Sequence, residues 1–342
     1  MTEASLTNVK KNKKGFLDFF PAPKFLLLST VGISFSDIGI QSVEFKQSPI
    51  PKQLELAHSV EVPLPMGAIV LGYVHDKPAV VKVLSELKTK YSLSYIKGTL
   101  PEEKAYMFTA EVQSEPFNSL RDRVAFTVEE NAPVSLEKSI FDFEIIGDAL
   151  GKSVIRVVVS VLPKKVVETY IEVCESAGLV PVSFEIESQA ITRAIVKRGE
   201  TRSQLIVNMD NEKTGLYVVE DEVVQFSTTP ALGVRLVDGV YPDIVLLKNE
   251  IRKVFAFWNT RMDKDGKPLK RIERVLLTGR GASNKDFVRA LMEDIDIEHV
   301  FADVWINALP HHPNTTEVET PESLMYSAAI GVALPDKEPT YV

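Results

Sequence analysis

The apolar positions of this chain change period several times along its length, and each change marks an element. Residues 25–34 form an apolar run that predicts a strand. A short turn at Ser36-Asp37-Ile38 leads to a second strand over 39–45, so the two read as a hairpin. A third strand is predicted at 54–62, followed by a proline-rich turn, a strand at 68–74 and a helix at 78–90. Pro78 suits the first turn of that helix, where its missing N–H is harmless. A strand at 105–112 follows. From about residue 113 the pattern becomes a smaller unit: an amphipathic helix at 119–129, a proline-containing turn and a strand at 140–146. The strand at 154–162 opens a β–α unit whose helix, 164–177, ends on Gly178 as a C-cap.

The second half restarts the opening theme. Residues 205–209 are an apolar strand, 210–213 a polar turn, 215–219 a returning strand and 223–228 a third. Strand, polar turn, strand, strand thus occurs twice in a chain too long for one compact sheet, which predicts two similar lobes facing each other. A helix at 244–258, a turn at 263–266 and a buried strand at 274–277 come next. That strand runs into Thr278-Gly279-Arg280-Gly281-Ala282 and a helix beginning near Lys285. Helical periodicity returns at 322–334. The expected organisation is a flexible basic tail (1–24), a first lobe (25–112 and 152–195), an inserted subdomain (113–151), a second lobe (196–334) and a C-terminal tail (335–342).

Composition narrows the function classes. At 342 residues and 45% hydrophobic, the chain can fill two real cores. A formal net charge of -8 argues against nucleic acid as a partner, because no cationic excess is available to release phosphate counterions. The one basic run, Lys10, Lys11, Lys13 and Lys14, precedes an apolar-aromatic stretch at 16–20. It reads either as a contact with an anionic membrane surface or as a solvated tail. The single cysteine, Cys174, excludes an internal disulfide, and its spacing with Val167, Tyr170 and Ile171 predicts a buried thiol on a helix. No apolar run approaches the roughly 18 residues of a membrane span, and nothing resembles a signal peptide, so a cytoplasmic location is expected. His311-His312 lies in a Pro- and Thr-rich loop without spaced carboxylates or cysteines, and His58, His75 and His299 are scattered; no metal site, Ser-His-Asp set, P-loop or GxGxxG is read here.

Six segments in this order resemble the actin-like ATPase superfamily and, within it, the PilM family of type IV pilus assembly proteins, with the FtsA family as a cousin. Phe19-Phe20-Pro21-Ala22-Pro23-Lys24-Phe25 followed by Val31-Gly32-Ile33 is similar to the start of a PilM subgroup. Ser34-Phe35-Ser36 stands at the first phosphate motif, usually Asp-x-Gly, with Gln41 where lysine is common and Glu44 as in the family. Phe184-Glu185-Ile186-Glu187-Ser188-Gln189-Ala190 resembles the connecting motif. Val207-Asn208-Met209-Asp210 stands at the second phosphate motif, Leu277-Thr278-Gly279-Arg280-Gly281-Ala282 resembles the adenosine motif, and residues 326–333 resemble the closing helix.

The resemblance implies an α/β actin-like fold of two duplicated lobes with a small inserted subdomain, and a cleft for ATP and magnesium. It places Ser34, Ser36, Glu187, Asn208, Asp210, Lys213, Gly279, Arg280 and Gly281 in that cleft. In an Asp-x-Gly hairpin the glycine lets backbone N–H groups approach phosphate, while the aspartate holds the metal and its water shell. Ser34 and Asn208 remove both carboxylates, and Ser36 and Asp210 add side chains where the phosphates would sit. Glu187 alone gives a hard cation too little charge. Arg280 could stack on a base, Lys213 could neutralise a phosphate, and Glu250 and Lys253 could line a ribose pocket; each reads equally as a solvated turn or helix face. Nucleotide binding is therefore expected to be weak or absent, and turnover negligible. The resemblance further implies a scaffold of the inner-membrane pilus assembly complex. Its inserted subdomain would take the N-terminal peptide of a PilN-like membrane protein, alongside other pilus assembly components, with membrane association indirect. An active ATPase or small-molecule kinase is the enzyme alternative; a kinase would need a second-motif carboxylate and an added catalytic acid, and neither is seen. An FtsA-like cell-division anchor is a third reading, against which residues 336–342 lack the character of an amphipathic membrane helix.

Overall fold

The computed structural model describes residues 30–47, 54–113, 119–147, 153–262, 266–309 and 321–335. The basic run at 10–14, His311-His312 and the C-terminal tail beyond Pro335 lie outside the described residues.

The first lobe opens with an antiparallel meander, β1 (Thr30–Phe35), β2 (Gly39–Gln47) and β3 (Leu54–Pro63), and continues through β4 (Ile69–Val70), β5 (Tyr73–Val74), α1 (Lys77–Tyr91) and β6 (Tyr95–Leu100). A separate unit follows: β7 (Tyr106–Gln113), α2 (Leu120–Asn131), β8 (Ser139–Ile145) and β9 (Val154–Pro163). The lobe resumes with α3 (Lys164–Ser176), β10 (Val180–Ile186) and α4 (Glu187–Ile195). The second lobe comprises β11 (Gln204–Met209), β12 (Thr214–Glu220), β13 (Val223–Thr228), α5 (Ile244–Asn259), β14 (Arg274–Thr278), α6 (Lys285–Met292), β15 (Glu298–Phe301) and α7 (Ser327–Ala333).

The two large sheets are copies of one topology. One has the order β3-β2-β1-β6-β10 and the other β13-β12-β11-β14-β15. In each, the first three strands are antiparallel and the last two run parallel to the first. Parallel strands reached by helical crossovers leave their carboxyl ends together at one edge, where ligands of such sheets bind.

Helix starts follow local chemistry: Asp76, Ser119 and Asn284 each accept a hydrogen bond from the backbone N–H three residues on, at 3.0, 3.2 and 3.0 Å. The lobes meet at two helices. α7, the last helix of the second lobe, packs on β1 and on α4, so that Val43 and Phe45 of the first lobe share a core with the second. The contact is close because both partners offer glycine. A Cβ on Gly331 would stand 1.7 Å from the Ala190 carbonyl oxygen, and one on Gly32 2.1 Å from that of Ala329.

Several expectations change. Residues 68–74 form a two-strand hairpin, β4–β5, because Leu71 (φ 46°) and Gly72 (φ 76°) reverse the chain. The inserted sheet has the order β7-β9-β8, so β7 and β9 pair inside the insertion. Its strands run from Tyr106 to Pro163, wider than the expected 113–151. The helix expected over 322–334 is a 3₁₀ turn at Pro321–Tyr326 followed by α7. The sequence pattern did not reveal β6, β10, α4 or β15.

Candidate functional site

Each sheet delivers its chemistry at the carboxyl ends of its parallel strands. The β1–β2 turn brings Ser34 and Ser36, the end of β6 brings Glu102 and Glu103, and the β10–α4 junction brings Glu187. From the other lobe, β11 and its turn bring Asn208, Asp210 and Lys213, and β14 brings Gly279 and Arg280. Ser34, Ser36, Gln41, Glu187, Asn208, Asp210, Gly279 and Arg280 line one pocket between the lobes, with Met325 and Ser327 from the approach to α7. Gly281 is packed beneath it, with the site of its absent Cβ 2.4 Å from Val234 and 3.0 Å from Met209. Glu250 and Lys253 are not part of it. They pair with each other at 2.7 Å on the outer face of α5, with the lysine side chain 72% exposed.

The two turns that should cradle phosphates satisfy themselves. Ser36 donates its N–H and its hydroxyl to the Gly39 carbonyl, at 3.0 and 2.9 Å, and accepts the Gly39 N–H on its own hydroxyl. In the second turn the Asp210 N–H goes to the Lys213 carbonyl, and the Asn211 N–H is donated to the Asp210 carboxylate at 2.7 Å. Burial raises the pKa of that carboxylate against the pull of Asn211, Arg280 and Lys213. Gly279 takes φ 88° and lies so close to β11 that a Cβ would meet the Met209 carbonyl at 2.4 Å, so only glycine fits there.

Charged side chains bridge the gap between the lobes. Lys213 pairs with Glu103 and stands 3.9 Å from Glu187, and Arg280 pairs with Glu61 of β3 and stands 3.7 Å from Asp210. Gln41 donates to the same Glu61 oxygen at 3.2 Å, and Asn208 donates to Glu187 at 3.2 Å. Burial pushes Glu187 up to about 7, because the attraction of Lys213 is partly cancelled by Glu103, Glu102 and Asp210. Burial alone would lower the Lys213 pKa, but Glu187 and Glu103 outweigh it and hold the ammonium above its ordinary range. Glu102 is buried and caps α4, accepting the Ser188 N–H at 2.9 Å at the positive end of the helix. Its pKa is nonetheless raised, burial outweighing the hydrogen bonds from Ser227 and Ser188. Glu61, Glu102 and Glu103 were invisible to motif reading because none lies in a phosphate or adenosine motif.

Only about 30 Å³ remains open in the pocket, against roughly 300–1,000 Å³ for pockets that hold small molecules. With Ser34 and Asn208 in place of metal-organising carboxylates, the Ser36, Gly39, Asp210 and Asn211 amides engaged within the chain and two ion pairs across the gap, the residues present do not fit ATP and magnesium. Among the described residues, no group of three or more His, Cys, Asp or Glu side chains is arranged to hold a metal. A Ser-His-carboxylate row exists elsewhere: Ser42 Oγ is 2.9 Å from His58 Nε2, and His58 Nδ1 is 3.3 Å from Glu44. Ser42 is fully buried and the His58 ring stacks on Tyr91, so the row is a polar network between β2 and β3 that substrate cannot reach.

Two comparisons bear on this architecture. The sequence model described as type IV pilus assembly protein PilM matches residues 32–239, more than half of the chain. This chain belongs to the PilM family. Among solved structures, the PilM-PilN type IV pilus biogenesis complex superposes with a TM-score of 0.75 at 17% identity, over 90% of this chain and 98% of that one. The ethanolamine utilization protein EutJ from Carboxydothermus hydrogenoformans gives a TM-score of 0.51 at 13% identity, over 90% and 89%. No curated protein sequence matches at a significant level. The PilM-family chain therefore has the two-lobed actin-like ATPase fold, with the β7–β9 unit inserted between β6 and α3 of its first lobe. Among its described residues no helix is long and apolar enough to cross a membrane.

Proposed function

We propose that this PilM-family protein is a docking scaffold at the inner face of the cytoplasmic membrane, whose inserted unit captures the short N-terminal segment of a PilN-like membrane protein. The observation that carries the reading is the shape of the insertion. α2 packs chiefly over β7, burying Val124 and Val128 against Val112, Ile155 and Val157. Strand β8 lies at the edge of the sheet on the far side of β9. Phe141, Phe143 and Ile145 of that strand stay only partly buried beside the helix, and Phe126 of α2 is 68% exposed. A half-covered apolar strip along an edge strand suits an extended peptide, which gains backbone hydrogen bonds from the edge and places alternate side chains on the strip.

The fold likeness to a solved PilM-PilN complex supports this choice of partner. In the same reading the cleft contributes architecture instead of turnover, since phosphoryl transfer needs a metal to neutralise charge and the two carboxylates that would organise it are Ser34 and Asn208.

The test is fluorescence anisotropy with a labelled peptide from the N-terminus of a PilN-like single-span membrane protein. Phe126→Lys and Phe143→Asp should each weaken binding by about tenfold or more, while Phe126→Lys leaves the melting temperature unchanged. Full affinity in both variants would move the docking site off the insertion.

A further inference from the structure

We propose that Lys213 and Arg280 are built-in counter-ions that strap the two lobes together, so that the shut cleft is the resting state of the chain with no nucleotide present. This goes beyond the docking reading and does not depend on it. Lys213 sits on the β11–β12 turn of the second lobe and reaches Glu103, just past β6 of the first, with the two side chains only 13% and 8% exposed. The other Glu103 oxygen, Oε2, is buried without a hydrogen-bond partner, which leaves the ammonium as the ion neutralising this carboxylate. Glu187 lies 3.9 Å from the same ammonium. On the opposite wall Arg280 reaches across to Glu61, which Gln41 steadies from the neighbouring strand.

Each strap joins a loop of one lobe to a strand end or strand of the other. Around them gather Glu102, Glu103, Glu187 and Asp210, four carboxylates, of which Glu187 and Asp210 line the pocket that keeps only about 30 Å³ open. Such a cluster opens, takes up protons or admits a cation where positive charge is lacking. Here the positive charge is carried on the chain, by Lys213 and Arg280.

The experiment measures the distance between the lobes. Spin labels at Glu86→Cys on α1 and Arg289→Cys on α6, in a Cys174→Ser background of the full chain, report the separation by pulsed electron resonance. The parent should give one narrow distribution that ATP with magnesium does not move. Lys213→Met with Arg280→Met should lengthen and broaden it. The swap Lys213→Glu with Glu103→Lys, Arg280 intact, should return most of the population to the parent distance. If removing both cations compromises folding, Glu61→Gln with Glu103→Gln breaks the same straps without stranding those carboxylates, and should also lengthen the distance. A parent-like narrow distribution in a folded strap-less variant, or a parent distribution that shortens on adding ATP with magnesium, would overturn the proposal.

Discussion

The sharpest consequence of the cleft concerns ATP. To admit a nucleotide the chain must part Lys213 from Glu103 and Arg280 from Glu61. Hydrogen bonds to charged groups contribute about 1.5–3 kcal/mol each. The first pair, about nine-tenths buried, belongs in the upper part of that range. The second, with 27% and 21% of its side chains exposed, belongs at the lower end. Together they set a penalty of about 3–5 kcal/mol, or roughly 10²- to 10³·⁵-fold in affinity at 1.4 kcal/mol per decade. A cleft that would otherwise bind micromolar ATP is thereby moved to roughly 0.1–3 millimolar, before the loss of metal-organising carboxylates is counted. Titration calorimetry with ATP and magnesium should show no saturation on the unmodified protein. Restoring the motifs with Ser34→Asp, Ser36→Gly, Asn208→Asp and Asp210→Gly should raise affinity only slightly while the straps remain. Adding Glu61→Gln and Glu103→Gln, which frees Arg280 and Lys213 to meet phosphate, should gain about a further hundredfold. Saturable, metal-dependent binding and turnover at micromolar ATP by the unmodified chain, lost on Glu187→Ala, would refute the reasoning.

Three further outcomes are expected. Gly331→Ala forces a methyl against the Ala190 carbonyl at the α4–α7 crossing, so it should cost about 3 kcal/mol or more and lower the calorimetric melting temperature by several degrees; an unchanged melting temperature would mean the helices separate freely. Folding raises Glu187 from its ordinary 4.5 to about 7, so the folded state holds the extra proton and the Glu187 contribution to stability is full below about pH 4.5 and falls as pH rises to 7; melting curves from pH 5 to 8 should lose part of their slope in Glu187→Gln, and an identical slope would place that proton elsewhere. Cys174 is buried, which pushes its thiol up to about 12, so a thiol reagent at neutral pH should react only at the rate of first-lobe unfolding; fast stoichiometric labelling of the native protein would contradict the packing.

Much of the architecture could be read before any coordinates. Short apolar runs at 39–45, 205–209 and 223–228 and helical patterns ending in Trp258 or Gly178 declared their elements, because a strand buried within a sheet reads as a brief apolar run and a helix that buries one face repeats apolar residues at its own period. The repeat of strand, turn, strand, strand announced two lobes for the same reason. What failed was short or interrupted. β6 carries Lys97 and Gly98 within six residues, β10 is bulged around Pro181–Ser183, and β15 is a four-residue edge strand with three exposed positions. Their identity as strands comes from the neighbours they pair with, and pairing partners are distant in sequence.

The cleft divides in the same way. Motif positions sufficed to name Ser34, Ser36, Glu187, Asn208, Asp210, Gly279 and Arg280, since each sits at a fixed offset from a strand end. They also sufficed to see that two carboxylates were missing. Lys213 was named, but whether it met a phosphate or solvent was open, as was the choice between a ribose pocket and solvent for Glu250 and Lys253. Only the folded chain brings Glu103 to Lys213 across 110 residues and Glu61 to Arg280 across 219. Sequence therefore determined which charges this protein carries at its strand ends. Tertiary structure decided which of them meet, because a charge selects its partner by proximity and burial, and neither is a property of the chain until the lobes close.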